Sequence, residues 1–596
     1  MSYSKTSSIT NRDVAHLLRS VAAAYLIKNK NRFRIIAYEN AADAVEHLTR
    51  EVRDLWEEGK LDTVPAIGST IASALDEYFR KGRSNHFDAV FKGIPLTVFE
   101  LMKVSSIGPK RAYKLAKHFN LKNSKTVFAD VRSLCEKGEI AKLPTFGEKS
   151  QEVILRALDL YERRKEATTR MPLPYAYLLA EDLIAYLRKN KKVRRADALG
   201  SLRRMVATIG DIDIAVVVEN KYAREVIDHF LKYPKKISVD SAGKKKASII
   251  ISPQIRIDLR VQSAKDYGAM LQYFTGSKTH NIKLREYALK KGYSLSEYGI
   301  KDLKKNTPIR MFDTEEKFYR FLGLSYIPPE IREGTDEIEL SEKNRIPKLI
   351  EVKDIKGDFH VHSNYDLKPS HDLGINSYRE ICTKAKELGY QYIGFSDHNP
   401  KTSGQSEDAI VKIMAERRRH IEKSLLKIDG LDCYVGLEVD ILPGGDIALP
   451  KKALNDIDYM IISVHSVFGM DRKSMTKRVL AALENPKVKI LGHPTGRLLQ
   501  KREGYELEWE KIFEVCKKKQ IALEINSWPD RLDLPDTLIK EALRYGVKCI
   551  VNTDAHANVQ MELMSYGVSV ARRGWATKND IINTRDPKEF RRWMFG

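Results

Sequence analysis

The sequence predicts a multidomain chain with three textures in order: all-α, mixed α/β, and alternating strands and helices of a βα barrel. Three observations carry that prediction. From residue 11 to about 164, apolar residues recur at three- and four-residue spacing, as in 41–56 and 71–79. Alternating β-branched runs follow a helix at 176–189, in 211–218, 247–251 and 255–261. After residue 354, short apolar runs at 392–395, 434–437, 459–462, 488–491, 521–525 and 549–551 alternate with helical stretches, the signature of βα units. The charged stretch 333–351, short of large apolar residues, reads as a linker. A length of 596 residues suits about three to five domains.

Composition narrows the function classes. Lys and Arg total 103 against 80 Asp and Glu, a formal charge of +23. Such a field favours polyanions, nucleic acid first, because cations gain by releasing counterions condensed on phosphates. No apolar run approaches ~18 residues, so no transmembrane helix is expected. The polar start of the chain lacks the apolar region of a secretory signal. Five scattered cysteines and no Cys-x-x-Cys argue for a reducing compartment. The expected location is the cytoplasm, in association with the nucleoid.

The helical region contains three similar segments: Pro65-Ala66-Ile67-Gly68-Ser69, Ser105-Ser106-Ile107-Gly108-Pro109-Lys110 and Pro144-Thr145-Phe146-Gly147-Glu148-Lys149. Each sets a glycine before a helix. Glycine permits a tight turn whose N–H groups, with the helix N-terminus, can cradle a phosphate. The pattern resembles the helix-hairpin-helix motif, which grips DNA backbones without reading bases. Gly68, Gly108, Lys110 and Gly147 are the candidate DNA contacts.

In the middle region, Gly200-Ser201-Leu202-Arg203-Arg204 precedes Gly210-Asp211-Ile212-Asp213-Ile214. Alternate side chains of a strand share a face, so Asp211 and Asp213 point the same way. A later strand, Arg256-Ile257-Asp258-Leu259-Arg260, sets Asp258 between two arginines on one face. If the strands are neighbours, three carboxylates converge. Such a set can hold two Mg²⁺ or Mn²⁺ about 3.5–4 Å apart for in-line attack on a phosphoryl group. Asp258 is also the candidate base, or base partner, for a 3′-hydroxyl. Ser201 and Arg204 offer a hydroxyl and a charge to a triphosphate.

The last region concentrates eight of fourteen histidines, most of them just after apolar runs. The motifs are Asp358-Phe359-His360-Val361-His362, Asp397-His398, Glu438-Val439-Asp440, Val464-His465, Gly492-His493-Pro494 and Asp554-Ala555-His556. Ligands delivered from the C-terminal ends of successive strands describe a barrel active site. Imidazoles mixed with carboxylates suit Zn²⁺, Mn²⁺ or Fe²⁺. His420, inside a helical run, is expected at the surface.

With these motifs on the page, two resemblances follow. Residues 199–218 and 256–261, with Tyr273-Phe274-Thr275-Gly276-Ser277, resemble the family X DNA polymerases, relatives of polymerase beta. The resemblance covers about residues 11–333. It implies that Asp211 and Asp213 bind both metals and Asp258 the catalytic one. It also implies that Ser201, Arg204 and Gly210 hold the triphosphate, that Tyr273, Phe274 and Gly276 line the sugar pocket, and that Asn281 meets the base. Arg285 and Glu297 fall at template-side positions, and Arg256 joins Arg285 as a DNA contact. Ala74 stands where the family's lyase carries its Schiff-base lysine, so that activity would need another lysine such as Lys60 or Lys81.

Residues 354–596 resemble the PHP domain (polymerase and histidinol phosphatase). That implies a distorted barrel of seven strands and a three-ion site, with manganese-dependent 3′–5′ exonuclease or 3′-end phosphoesterase activity. The implied ligands are His360, His362, His371, His398, Glu438, His465, His493, Asp554 and His556. After His362 this chain departs from the family pattern, so His371, Asp372 and Asp366 all stand as third ligand, with His371 favoured by its six-residue spacing to Ser377. Arg497 is a candidate phosphate contact.

The expected fold is therefore an all-α helix-hairpin-helix region, an α/β nucleotidyltransferase palm and a distorted (βα)7 PHP barrel. Expected boundaries are 1–88 (lyase-like), 89–168 (duplex-binding), 169–270 (palm), 271–333 (nucleotide-selecting), 334–353 (linker) and 354–596 (PHP). Expected partners are gapped or primer–template DNA and dNTPs, with no membrane and a monomeric state by family analogy. The expected function is short-gap filling in DNA repair with end trimming. Two alternatives are a non-templated nucleotidyltransferase with a linked phosphatase, and a DNA-end scaffold with decayed sites.

Overall fold

A computed structural model describes residues 11–29, 32–46, 52–57, 59–61, 64, 66–104, 107–166, 170–252, 255–305, 307–426 and 428–596. Pro65, Ser105 and Ser106 of the glycine turns, and the first ten residues, lie outside that set. The chain divides into two compact units, residues 1–168 and 169–596.

Among the described residues of the first unit, the regular elements are helices. Its core gathers the apolar stripe of each helix, including Val14, Leu18, Ile71, Leu75, Leu115 and Val131. The three turns repeat one construction. The N–H groups of Ile67, Ile107 and Phe146 donate to the carbonyls three residues back, at 3.2, 2.9 and 3.0 Å. All three of these side chains are buried. The apolar residue thus anchors the turn and the next helix starts from the glycine, at Ser69, Pro109 and Gly147.

The second unit begins with strands β1 (Met171–Pro172), β2 (Arg195–Ala198), β3 (Thr208–Ile209), β4 (Ile212–Val217), β5 (Ser238–Ala242), β6 (Lys246–Ser252) and β7 (Ile255–Gln262). Five of them form a sheet in the order β2-β4-β7-β6-β5, and β1 pairs with β3. Ile212, Ile214, Ile257 and Leu259 turn to the core under the sheet and leave the aspartates on the other face. The hairpin β8 (Tyr293–Ser296) and β9 (Gly299–Asp302) belongs to a separate small core built on Leu284, Phe318, Tyr319 and Ile327.

The C-terminal strands are β10 (Gly357–Asp358), β11 (Tyr392–Phe395), β12 (Asp432–Asp440), β13 (Tyr459–Ser463), β14 (Val488–Leu491), β15 (Ala522–Asn526) and β16 (Cys549–Asn552). They run parallel in sequential order. The parallel bridge between Val361 and Ala555 brings the first and last strands together, a near-barrel of seven. Aromatic rings gather at one end, with Phe590 stacked on Phe359 at 4.5 Å and on Tyr392 at 4.4 Å. The (βα)7 expectation holds.

Residues 334–353 are more than a linker. They contain the helix Glu337–Glu342, and Glu337 is fully buried. Its carboxylate lies 2.7 Å from His280 Nδ1 and accepts the N–H groups of Gly334 and Thr335. Charge alone suggested a solvated stretch; tertiary partners made burial affordable.

Candidate functional site

Gly68 and Gly108 cap their helices with extended backbone, at φ −75° and −72°. The left-handed residue of the first turn is Ala66, and Gly147 is left-handed in the third. A Cβ on Gly68 or Gly108 would meet nothing within 4 Å. No intramolecular crowding demands glycine there; the open space lies over a helix N-terminus, where an anion is favoured. Ala74 is buried in the helix Ser69–Lys81, and Lys81 is paired with Glu77.

The sheet brings the three aspartates together. Strands β4 and β7 run side by side in parallel, with Asp213 paired to Asp258. Gly200 packs on this pair: at φ +59°, a Cβ there would come within 2.8 Å of Asp213 Oδ2. Burial and the neighbouring carboxylates Asp258 and Asp211 push Asp213 up to about 6. Asp258 Oδ1 accepts from the Ser248 hydroxyl and from Arg256 Nε at 3.2 Å. Asp211 is exposed at the head of β4. Two carboxylates in register, one of them held against its own ionisation, form a site that gains by binding cations. Arg256 therefore braces Asp258 directly.

The adjacent arginines are each held by a carboxylate of the following domain. Arg203 pairs with Glu315 at 2.5 Å, and Arg332 closes on the same glutamate at 2.5 Å. Burial opposes the charge on Glu315, yet Arg332 and Arg203 hold it down at about 2. Arg204 donates Nε to Glu333 at 3.2 Å and Nη1 to the Thr275 carbonyl at 2.5 Å. Tyr273 and Phe274 meet edge-on at 5.0 Å, and Arg260 lies 3.9 Å over the Phe274 ring. Asn281 donates to the Tyr273 carbonyl at 2.7 Å. Ser201 shares the short helix Gly200–Arg203 with the first arginine, a Cβ on Gly276 would come within 3.1 Å of Arg204 Nη1, and Gly210 lies by Arg170, while Arg285 is exposed on the helix Lys278–Lys290.

At the C-terminal ends of the barrel strands, all nine sequence-predicted ligands converge. Glu438 is the hub. Its Oε2 lies 3.0 Å from His360 Nε2 and 3.1 Å from His398 Nδ1. Its Oε1 lies 3.0 Å from His493 Nε2 and 3.3 Å from His465 Nε2. Asp554 faces His360 and His362 at 3.4 and 3.3 Å. The ligand atoms form four overlapping groups: His360–His362–Glu438–Asp554, Glu438–His465–His493, His371–His398–His465 and His362–His398–His556. Buried nitrogens of His360, His362, His398, His493 and His556 have no hydrogen-bond partner. So many unsatisfied imidazole nitrogens facing carboxylates fit bound cations. Burial, with His556 and His398 nearby, pushes His362 down to about 3. For His465, burial opposes the charge, but Glu438 and Asp440 hold it up at about 9.

Of the alternatives for the third ligand, His371 and Asp372 both reach the cluster. His371 Nε2 lies 3.0 Å from Asp440, and Asp372 reaches toward His398 and His556 at 3.6 and 3.4 Å. Asp366 instead accepts the Lys368 N–H. His420 is exposed, as expected. Arg497 differs from expectation: its Nε donates to the Arg531 carbonyl at 2.9 Å and its Nη2 to the Leu532 carbonyl, so it braces a loop.

Comparison with known proteins decides the family. The chain is 32% identical over 580 residues to the DNA polymerase/3′-5′ exonuclease PolX of Bacillus subtilis (strain 168), covering 97% of this chain and 98% of that protein. The chain belongs to the family X DNA polymerases. Within this polymerase, residues 9–84 match a helix-hairpin-helix domain, residues 270–333 the DNA polymerase beta thumb and residues 358–528 the PHP domain. The barrel of the family X chain is also 28% identical over 225 residues to a probable phosphatase of Thermoanaerobacter sp. (strain X514), covering 35% of this chain and 85% of that protein.

Sequence reasoning missed Glu524, which braces the PHP site from β15. Its Oε1 accepts from His360 Nδ1 at 2.7 Å and from Asn552 at 2.9 Å; its Oε2 accepts the His493 N–H at 2.7 Å. The signal was a glutamate inside the apolar run 521–525. Asp440, 2.6 Å from His465 Nδ1, was quoted within its motif but not assigned. Among the described residues, no helix of this polymerase is long and apolar enough to cross a membrane.

Proposed function

We propose that this chain fills short gaps in DNA by templated extension of a 3′-end and trims 3′-ends at a second, hydrolytic site. The observation that carries the first activity is the register pairing of Asp213 with Asp258 beside Asp211. Divalent cations, Mg²⁺ or Mn²⁺, would stabilise charge on the attacking and leaving oxygens there. Asp211, Asp213 and Asp258 hold them. Asp258 Oδ2 is free of protein donors among the described residues and takes the 3′-hydroxyl proton. Ser201 and Arg204 orient the triphosphate, and Tyr273, Phe274 and Gly276 bound the sugar. The glycine turns at Gly68, Gly108 with Lys110, and Gly147 take the DNA backbone, with Arg256 on β7 and Arg285 on the helix Lys278–Lys290 as further DNA contacts.

The hydrolytic reading rests on the buried hub of Glu438 with its histidines and Asp554. Mn²⁺, Zn²⁺ or Fe²⁺ held there would polarise a phosphate ester and activate water. His360 is turned toward the hub by Glu524 at its other nitrogen, which fixes the ligand ring. The barrel's similarity to probable phosphatases favours a second reading of the same site, removal of a 3′-phosphate.

The test is a 5′-labelled primer facing a one-nucleotide gap, with manganese present and dNTPs added or omitted. Templated extension with dNTPs and stepwise shortening without them are expected. Template-independent addition would instead favour the non-templated transferase. A primer ending in 3′-phosphate, converted to hydroxyl without shortening, would single out the phosphatase reading.

A further inference from the structure

Several ion pairs join the barrel to the polymerase half, among them Arg572–Glu330 and Lys540–Asp336, and the most buried of their cations is Arg573. Arg573, on the helix Met564–Arg573, donates Nη1 to the main-chain carbonyl of Arg204 at 2.8 Å and to Glu333 Oε1 at 2.9 Å. Its Nη2 pairs with Asp536 at 2.6 Å. The side chain is only 7% exposed. The same Glu333 oxygen accepts Arg204 Nε at 3.2 Å. One carboxylate oxygen therefore lies between two guanidinium groups, one from each half of the chain.

The third nitrogen of Arg204, Nη2, has no protein partner among the described residues. Arg204 is thus oriented by Glu333 and by the Thr275 carbonyl while keeping one nitrogen available to an anion. A carboxylate in that position is a hazard for phosphate binding. Unshared, it would close on Arg204 as a bidentate pair, the geometry that guanidinium and carboxylate favour. Shared with Arg573, its charge is divided and the bidentate pair cannot form.

We propose that Arg573 of the PHP domain is a positioning residue for nucleotide binding in the polymerase site, acting by holding Glu333 off Arg204. This rests on the reading that Arg204 receives the triphosphate. Arg573 touches no residue of the histidine cluster, so its effect falls on the polymerase reaction alone. The barrel is on this account a structural part of the polymerase pocket as well as a hydrolase.

The test uses the full-length protein and gapped DNA, with dNTP titrated. Arg573→Gln is expected to raise the KM for dNTP about five- to tenfold, with kcat changed less than about twofold. Adding Glu333→Gln should return KM to within about twofold of the unsubstituted protein, because the competing charge is gone. Shortening of the primer without dNTPs should stay within about twofold throughout. A KM unmoved by Arg573→Gln overturns the proposal. So does a double variant worse than Arg573→Gln, the mark of a merely structural contact. If Arg573→Gln does not fold, Arg573→Lys carries the same comparison, since an ammonium cannot span both acceptors as a fork. It should give a smaller rise in KM, again relieved by Glu333→Gln, and a rise that is not relieved overturns the proposal. If the unsubstituted protein extends no primer, the polymerase reading itself fails and this one falls with it. If it extends normally and only KM is indifferent to Arg573, this one alone falls.

Discussion

Asp213 and Asp258 are direct register partners on adjacent parallel strands, flanked by the apolar pairs Ile212–Ile257 and Ile214–Leu259. The apolar pairs fix the register, because a one-residue slip of either strand would turn its own aspartate into the core. Packing under the sheet thus holds like charges together above it. That arrangement stores repulsion which only cations, protons or substitution can relieve.

Asp213→Asn should therefore separate function from stability. Primer extension is expected to fall at least about a hundredfold, because a cation ligand is lost. Primer shortening without dNTPs should persist. In chelator, the variant should be more stable than the unsubstituted protein at neutral pH. The folded-state pKa is raised from the ordinary 3.8 to about 6, so ionisation opposes folding above that range and not below the ordinary value. The gain should vanish below about pH 4. Thermal melts of both proteins at pH 4 and pH 7.5 check the sign.

At the barrel site the hub and its brace should behave differently. Glu438→Gln removes a carboxylate that faces five histidines and should abolish shortening of the primer, with bound metal lost on elemental analysis. Glu524→Gln leaves the ligand set intact but loosens His360 and the main chain of His493. Its cost should be about 10–100-fold in metal affinity, recovered in part by excess manganese. Gap filling with dNTPs should survive both substitutions.

The contrast between those residues shows what a sequence can carry. Period-two alternation is local, so Asp211 and Asp213 were legible as sharing a face, whereas their meeting with Asp258 depended on the pairing of β4 with β7. Histidines at strand ends were legible for the same reason. Glu524 was not, because its strand is apolar on both faces and its role depends on His360, 164 residues away. Glu337 failed in the opposite direction: its charged surroundings read as a linker, and contact with the distant His280, beside the N–H groups of Gly334 and Thr335, explains its burial. Arg573 carried no local signal, because its link to Arg204 spans 369 positions. The fold was legible where chemistry repeats locally, and opaque where one buried charge is answered from another domain.

The glycine turns give a prediction about binding without stability. Gly68→Ala and Gly108→Ala place a methyl group in open space with φ values any residue adopts, so melting should be unchanged or slightly raised. If a phosphate approaches those helix starts, the affinity for gapped DNA should fall severalfold. Gly147→Ala differs, since φ is +69° there, and it should cost about 1 kcal/mol of stability. Fluorescence anisotropy with labelled DNA, beside melts of the same three variants, separates the two effects.

Glu315 gives the clearest acid dependence. It is buried between Arg203 and Arg332, which tie the sheet domain to the segment that follows it. Replacing it with Gln leaves two cations without their counter-charge, one of them fully buried. Breaking such a pair costs about 3–5 kcal/mol. The sign with pH follows from the lowered pKa. The folded-state value is about 2 against an ordinary 4.5, so the stabilisation is fully present above the ordinary value and is lost as pH falls through the folded one. The difference in melting temperature between Glu315→Gln and the unsubstituted protein should be largest at neutral pH. It should hold down to about pH 4.5 and shrink progressively toward pH 2, where both carry an uncharged group at this position. A difference that stays constant across that range would mean the glutamate contributes shape rather than charge.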